Sequence, residues 1–380
     1  MDELCHIVVG PNRNHASVRV AGTGHSFVPL CAVPDGILLS LDNLQGIIET
    51  DLERLQATVW GGTKIHQLGE PLWATGMAMA NMGDIDRQSI AGAIATGTHG
   101  TGHNLGSIST QVVGLRLILA SGEILDCSAD INADFFKAAQ VSLGALGVIA
   151  QVTLQLQPAY YLHEQTWVEP FEACMEQLDT RIGNNRHCEF FWVPTEDVCA
   201  LKRLNPTDAT QLPNVATAPS VEGRLTRYVR EEQIDRSYRI FPSERNVRFN
   251  ETEFALPAAN GPDCLREIRQ LMQHKYSDVL WPIEYRTLQA DDIYFSPAYG
   301  RECVTISVHQ AHDLPYRPFF DDVEAIFRNY QGRPHWGKIH THRGAELSDL
   351  YPMWETFLDV RQRLDPDGVF LNEYLCEIFN

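Results

Sequence analysis

The chain has 380 residues, of which 44% are hydrophobic, 9% aromatic and 21% charged, a composition that excludes collagenous, low-complexity and disordered classes. Lys and Arg total 30 against 49 Asp and Glu, and the net charge of −19 repels phosphate polymers and anionic membrane surfaces, so neither nucleic acid nor membrane is an expected partner. No run reaches the roughly 18 consecutive apolar residues of a membrane span, and the acidic start Met1-Asp2-Glu3 is followed by no secretory pattern, so the expected location is cytoplasmic.

In chain order, the first block reads as short strands with few helices. Apolar runs at 18–21, 37–41 and 56–60 are strand-sized, the last ending at Gly61-Gly62. Apolar spacing fits a helix at 64–72 and another at 131–142. Between them, 112–120 and 123–127 form a hairpin turning at Ser121-Gly122. Residues 148–157 alternate apolar and polar with period two until Pro158 stops the strand.

Composition then changes. Residues 205–246, rich in Pro, Thr, Asn and charge, read as a long connection outside the core. Beyond it come strands at 251–256, 279–288 and 303–310, helices at 263–275, 318–330 and 352–364, and the turn Asp365-Pro366-Asp367-Gly368. The expectation is an α+β protein of two domains, 1–158 and 159–380. The nine cysteines are scattered without a Cys-x-x-Cys pair, which predicts free thiols. His335, His340 and His342 lack a zinc-ligand spacing, so no metal is expected.

Three glycine-rich stretches lie in the first block. Gly22-Thr23-Gly24-His25-Ser26-Phe27 directly follows a strand, and its glycines let backbone N–H groups turn toward a phosphate; a plain turn bearing an exposed histidine would satisfy the same residues. It is no Rossmann fingerprint, because the third glycine and following helix are missing. Residues 89–102 mix glycines and hydroxyls among small apolar residues, which suits close approach to a pyrophosphate or tight helix packing. Ser142 to Ile149 is a glycine-rich entry into a strand. Three such stretches in a strand-rich block favour a nucleotide cofactor. In the second block, Glu284 and Arg286 lie two apart on a strand and so share a face, as an ion pair or as a polar site.

Taken in order, these stretches resemble the FAD-binding domain of the vanillyl-alcohol oxidase type, the PCMH-type fold. The segments 296–301, 333–338 and 364–372 are similar to the sugar-oxidising branch, which holds alditol oxidases and aldonolactone oxidases. The resemblance implies a two-domain α+β fold, with an FAD domain somewhat shorter at its N-terminal edge, a substrate or cap domain, and a C-terminal tail returning to the first. It implies FAD bound covalently through His25, with Gly22, Thr23, Gly24, Ser26, Phe27, Gly83, Ser89, Gly92, Thr96, Thr98, His99, Gly100, Gly102, Gly147, Val148, Ile149 and Asn372 around the cofactor. Arg286, Lys338 and Glu284 become catalytic, and Asp84, His309 and His335 face the substrate. The implied reaction is oxidation of a polyol or sugar-derived alcohol by hydride transfer to flavin N5, with O2 as acceptor giving H2O2. Its rivals are an aldonolactone oxidase or dehydrogenase and a flavin-binding protein without turnover.

Overall fold

The structure, a computed structural model, describes residues 1–10, 16–212, 223–243 and 247–379. A five-stranded antiparallel sheet runs in the order Ile47–Asp51, Gln56–Trp60, Val148–Gln155, Val112–Ile118, Ile124–Ser128. The alternation at 148–155 explains its central place: Val152 and Leu154 are buried, while Thr153 and Gln155 bond across the polar face to Thr58 and Gln56, each at 3.0 Å. Beside it, Val18–Ala21 pairs in parallel with Ile37–Ser40, and helix Asp2–Val9 packs Leu4 and Val8 against Val18, Ile118 and Val148.

Two helices are shorter than the spacing predicts. The 64–72 stretch breaks into a 3-10 turn, Ile65–Gln67, and helix Gly69–Ala74, because the Gln67 side chain accepts the Lys64 N–H at 2.8 Å and closes a separate turn. The 131–142 stretch contracts to Ala133–Ala139, bounded by left-handed backbone at Asn132 and Leu143.

The second block is built on an eight-stranded sheet in which every pair is antiparallel. Its order is Gln233–Arg236, Tyr161–Pro170, Val198–Thr207, His187–Val193, Ile283–Leu288, Cys303–Ala311, Phe249–Pro257, Arg333–Pro334. One face is apolar: Phe190, Trp192, Phe254, Tyr285 and Ile306 pack with helices Gly261–Lys275 and Arg317–Asn329. The other is polar, with Glu253, Ser307 and Glu284 in one cross-strand row and Glu251 opposite His309 in the next. That face is turned to the first block, whose Gly102 N–H donates to the Thr287 C=O at 2.9 Å and whose Thr101 Oγ1 donates to the Cys188 C=O at 2.9 Å.

The 205–246 stretch is not the excursion its composition predicts. Gln233–Arg236 is an edge strand paired with Tyr161–Pro170, and Ile240 and Phe241, 1% and 4% exposed, belong to the first block's core. The strand escapes a periodicity argument because it has four residues, none of them fully buried. Residues 213–222 and 244–246 of that stretch lie outside the described residues.

The tail returns to the first block. Phe357, Leu364, Leu375 and Ile378 lie in the same core as Leu115, Phe136 and Leu146. The buried Arg19 guanidinium gathers four carbonyls, those of Leu30, Leu143, Gly144 and Phe370, tying both ends of the chain to the glycine-rich 142–149 segment. Asp365, fully buried, accepts the N–H groups of Val369 and Phe370, each at 2.8 Å. All nine thiols are free.

Candidate active site

Two cavities meet at the loop after Val18–Ala21, sharing Gly24, His25, Ser26 and Thr96 as walls. The first is a slot of about 170 Å3 walled by backbone and small residues: Gly22, Gly61, Gly62, Ser89, Gly92, Gly144 and Gly147, with Ile149. Side chains would not fit its packing, since a Cβ on Gly61 would stand 2.1 Å from the Ile149 carbonyl oxygen and one on Gly62 2.0 Å from that of Leu41. Gly24, with φ +74°, has nothing within 4 Å of its missing Cβ and leaves the junction open. The second cavity, about 900 Å3, opens between the layers and is lined by Phe27, Gly83, Asp84, Thr98, His99, Glu251, Glu253, Arg286, His335 and Lys338. A narrow backbone-walled slot leading to a wide polar chamber fits an extended dinucleotide ending in a flat ring, which is the shape of FAD.

His25 sits at the junction, exposed. Partial burial and the Lys338 and Lys64 charges lower its pKa, so the imidazole is neutral and nucleophilic at neutral pH. Lys338 ion-pairs with buried Glu251, and its Nζ lies 5.0 Å over the Phe27 ring. The Phe27 N–H donates to the Gly337 carbonyl at 2.7 Å, which stitches the His25 loop to the lysine segment.

Arg286 is buried at 6% exposure among carboxylates: Glu284, Glu189 at 3.2 Å and Asp84 at 3.4 Å. Burial by itself lowers the guanidinium's pKa; the surrounding carboxylates outweigh it and hold the group charged. Glu284 lies behind the arginine rather than in the cavity wall, so it acts by holding Arg286.

The two histidines of the cavity are held in different states. His99 is enclosed by Gly100 C=O, 2.9 Å from Nδ1, and Glu253, 2.6 Å from Nε2; burial opposes its protonation, Glu253 more than reverses this, and the ring is held as imidazolium. His335 accepts the Gly337 N–H at Nδ1, 3.0 Å, and burial lowers its pKa to about 4, leaving a neutral ring with its proton on Nε2. Ligand atoms of His99, Glu253 and His335 lie within 4.8 Å of one another, with the His99 and Glu253 atoms already engaged together.

The other expected residues fall elsewhere. His309 lines a neighbouring compartment, its Nδ1 bonded to Pro282 C=O. Gly100 borders a small void that Asp84 also lines, and Val148 points into a hydrophobic core. Asn372 spends its amide on the carbonyls of Pro29, Leu30 and Ala32, fixing the backbone at the slot's edge. The sequence reading missed Glu189, Glu251 and Glu253, although the spacing argument applied to Glu284 and Arg286 fits Glu251 and Glu253 on strand Phe249–Pro257 equally well.

This fold recurs in a cholesterol oxidase from B. sterolicum, which aligns over 96% of this chain and 90% of its own with a TM-score of 0.84 at 16% identity. The architecture is the PCMH-type FAD-binding fold, and residues 1–128 match the FAD binding domain family. Residues 152–230 and 215–378 match the D-arabinono-1,4-lactone oxidase family, to which the chain belongs. An L-gulono-1,4-lactone dehydrogenase of Mycobacterium tuberculosis is 37% identical over 98% of this chain and 92% of its own, and a Streptomyces alditol oxidase is 28% identical over 100% and 94%. The protein is an FAD-dependent oxidoreductase acting on CH–OH groups. No helix among the described residues is long and apolar enough to cross a membrane.

Proposed function

We propose that the protein oxidises a secondary alcohol of an aldono-1,4-lactone, with the open-chain polyol as the second reading, and that O2 takes the electrons as H2O2. The observation carrying this is that Arg286 and Lys338, each backed by a buried carboxylate, line the same cavity as the His25 loop. Bound FAD supplies the hydride acceptor. It would be held by the slot glycines and by His25, for which the lowered pKa supports a covalent bond to the flavin.

Arg286 and Lys338 are cations fixed before substrate arrives, so they stabilise negative charge developing on the carbinol oxygen without reorganisation. The neutral His335 offers an Nε2–H to a further hydroxyl. Among the cavity carboxylates, Glu251 and Glu253 are tied to Lys338 and His99; Asp84 is paired with Arg286 at 3.4 Å, and its side chain keeps 17% exposure toward the cavity, which supports Asp84 as proton acceptor. Gly83 supports oxygen access, since its missing side chain leaves the cavity wall open beside Thr98 and His99.

The test is anaerobic bleaching of the flavin absorbance by D-arabinono-1,4-lactone, L-gulono-1,4-lactone, xylitol and sorbitol, followed by air and peroxide detection. Reduction by a lactone with peroxide release is expected. Reduction by polyols alone establishes the second reading. Reduction with electrons passing only to a dye replaces oxidase by dehydrogenase, and no reduction by any of them leaves a flavin-binding protein without turnover.

A further inference from the structure

The polar face of the eight-stranded sheet extends past Asp84 into a compartment of about 560 Å3 that the chemistry above does not use. It shares Asp84 and Phe249 with the catalytic cavity, so the two spaces adjoin where Asp84 meets Arg286. Its volume lies within the roughly 300–1,000 Å3 of small-molecule sites.

The walls pair aromatic faces with balanced charge. Phe191 stacks on Tyr228 with centroids 5.8 Å apart, and Trp281 leans on Phe249 at 5.4 Å; all four rings are half-buried. Three carboxylates, Asp84, Glu164 and Glu189, stand against three cations, Lys202, Arg227 and Arg230, so the space selects neither an anion nor a cation. Glu189 and Lys202 are 3.0 Å apart. Glu164 is fully buried; its Oε2 accepts from Gln233, while Oε1 has no hydrogen bond among the described residues and Arg230 stands 3.6 Å away. A buried carboxylate oxygen in that state is satisfied by a neutral donor such as a hydroxyl.

Flat apolar surfaces beside carboxylates and a charge sum of zero match a neutral polyhydroxylated ring, with its C–H faces on the aromatics and its hydroxyls on the acids. We propose that this compartment is a subsite for a second sugar ring, so that the preferred substrate is a glycosyl-substituted alditol or aldonolactone. Its oxidised end lies at Arg286 and Lys338, and its glycosyl ring lies between Phe191, Tyr228 and Trp281. This deepens the proposed function and rests on it.

The experiment uses the purified holoenzyme with disaccharide alditols and disaccharide aldonolactones of several linkages, each beside its monosaccharide parent, and reads kcat/KM from flavin reduction. At least one disaccharide is expected to exceed its parent by about ten-fold, the worth of one good aromatic contact. Trp281→Ala is expected to collapse that ratio toward one, and Tyr228→Ala in the other aromatic pair to do the same, with bound flavin as the check on folding. Parents oxidised better than every disaccharide, or a ratio unchanged in both variants, overturns the subsite. Calorimetric titration of the same disaccharides reads binding without turnover. Binding weakened by Tyr228→Ala supports the subsite even if no sugar reduces the flavin, an outcome that overturns the oxidation reading alone; absence of binding overturns the subsite.

Discussion

Arg286 and Lys338 are charged side chains in a largely dehydrated wall, and each is tolerable there because carboxylates enclose it. The guanidinium fork reaches Glu189 through Nε and Glu284 and Asp84 through Nη2, a geometry that an ammonium cannot copy. Arg286→Lys is therefore expected to keep the flavin and lower kcat by about 10²- to 10³-fold. A reduction rate within two-fold of the parent enzyme, measured by rapid mixing, would remove Arg286 from the chemistry. His25 gives a second residue-scale prediction. In acid-precipitated wild-type protein the yellow colour should stay with the pellet, and in His25→Ala it should pass to the supernatant. Colour in the supernatant for both proteins would mean that His25 contacts the cofactor without bonding to it.

At the scale of elements, the site is made by strand parity and by glycines where backbones nearly touch. Strand Phe249–Pro257 places Glu251 and Glu253 on the cavity face and Phe254 and Leu256 in the opposite core, so one two-residue period serves both packing and chemistry. Gly61 ends strand Gln56–Trp60 with its N–H on the Ala150 carbonyl and its own carbonyl taking the Ala91 N–H. Its missing Cβ would fall on the Ile149 carbonyl, and a backbone atom of a central strand cannot turn away as a side chain could. Gly61→Ala is expected to cost about 1–3 kcal/mol as overpacking and to lower flavin content in parallel. Thermal unfolding with flavin quantification checks this; wild-type values for both would mean that the slot has slack.

For the whole molecule, acid is the expected weakness. Burial lowers the pKa of His187 and His335 to about 4 and of His340 to about 3, all from 6.5. Each folded pKa is depressed, so the unfolded chain binds protons first as pH falls, and the stability from neutral burial is complete above 6.5 and is lost toward 4. At pH 5 each histidine withdraws about 2 kcal/mol. His99, held charged by Glu253, works the other way, one group against three. Melting temperature should fall steeply between pH 6.5 and 5. A flat profile over that range would show that the three rings are solvated or already charged.

Much of the first block was legible from local signals. Strands Val18–Ala21 and Gln56–Trp60, the hairpin turning at Ser121-Gly122 and the alternation from Val148 are set by periodicity and turn chemistry acting over a few residues. The glycine motifs by themselves favoured a nucleotide cofactor, since a backbone-walled slot admits few residue types, and their ordered resemblance to a known family narrowed it to FAD. Edge strand Gln233–Arg236 was not legible, because its stability comes from pairing with a strand some seventy positions earlier. Nor was the company of Arg286: Glu189 and Asp84 arrive from distant chain positions, and only the closing of one layer over the other sets them within reach of its fork. By itself, the sequence determined most strands of the first block, where side chains are forbidden and that a nucleotide cofactor suits the slot, because these depend on local geometry. Tertiary structure alone decided which charges neutralise each other, which histidine is protonated and that a second compartment adjoins the first, because burial and Coulomb interaction depend on distance through space rather than along the chain.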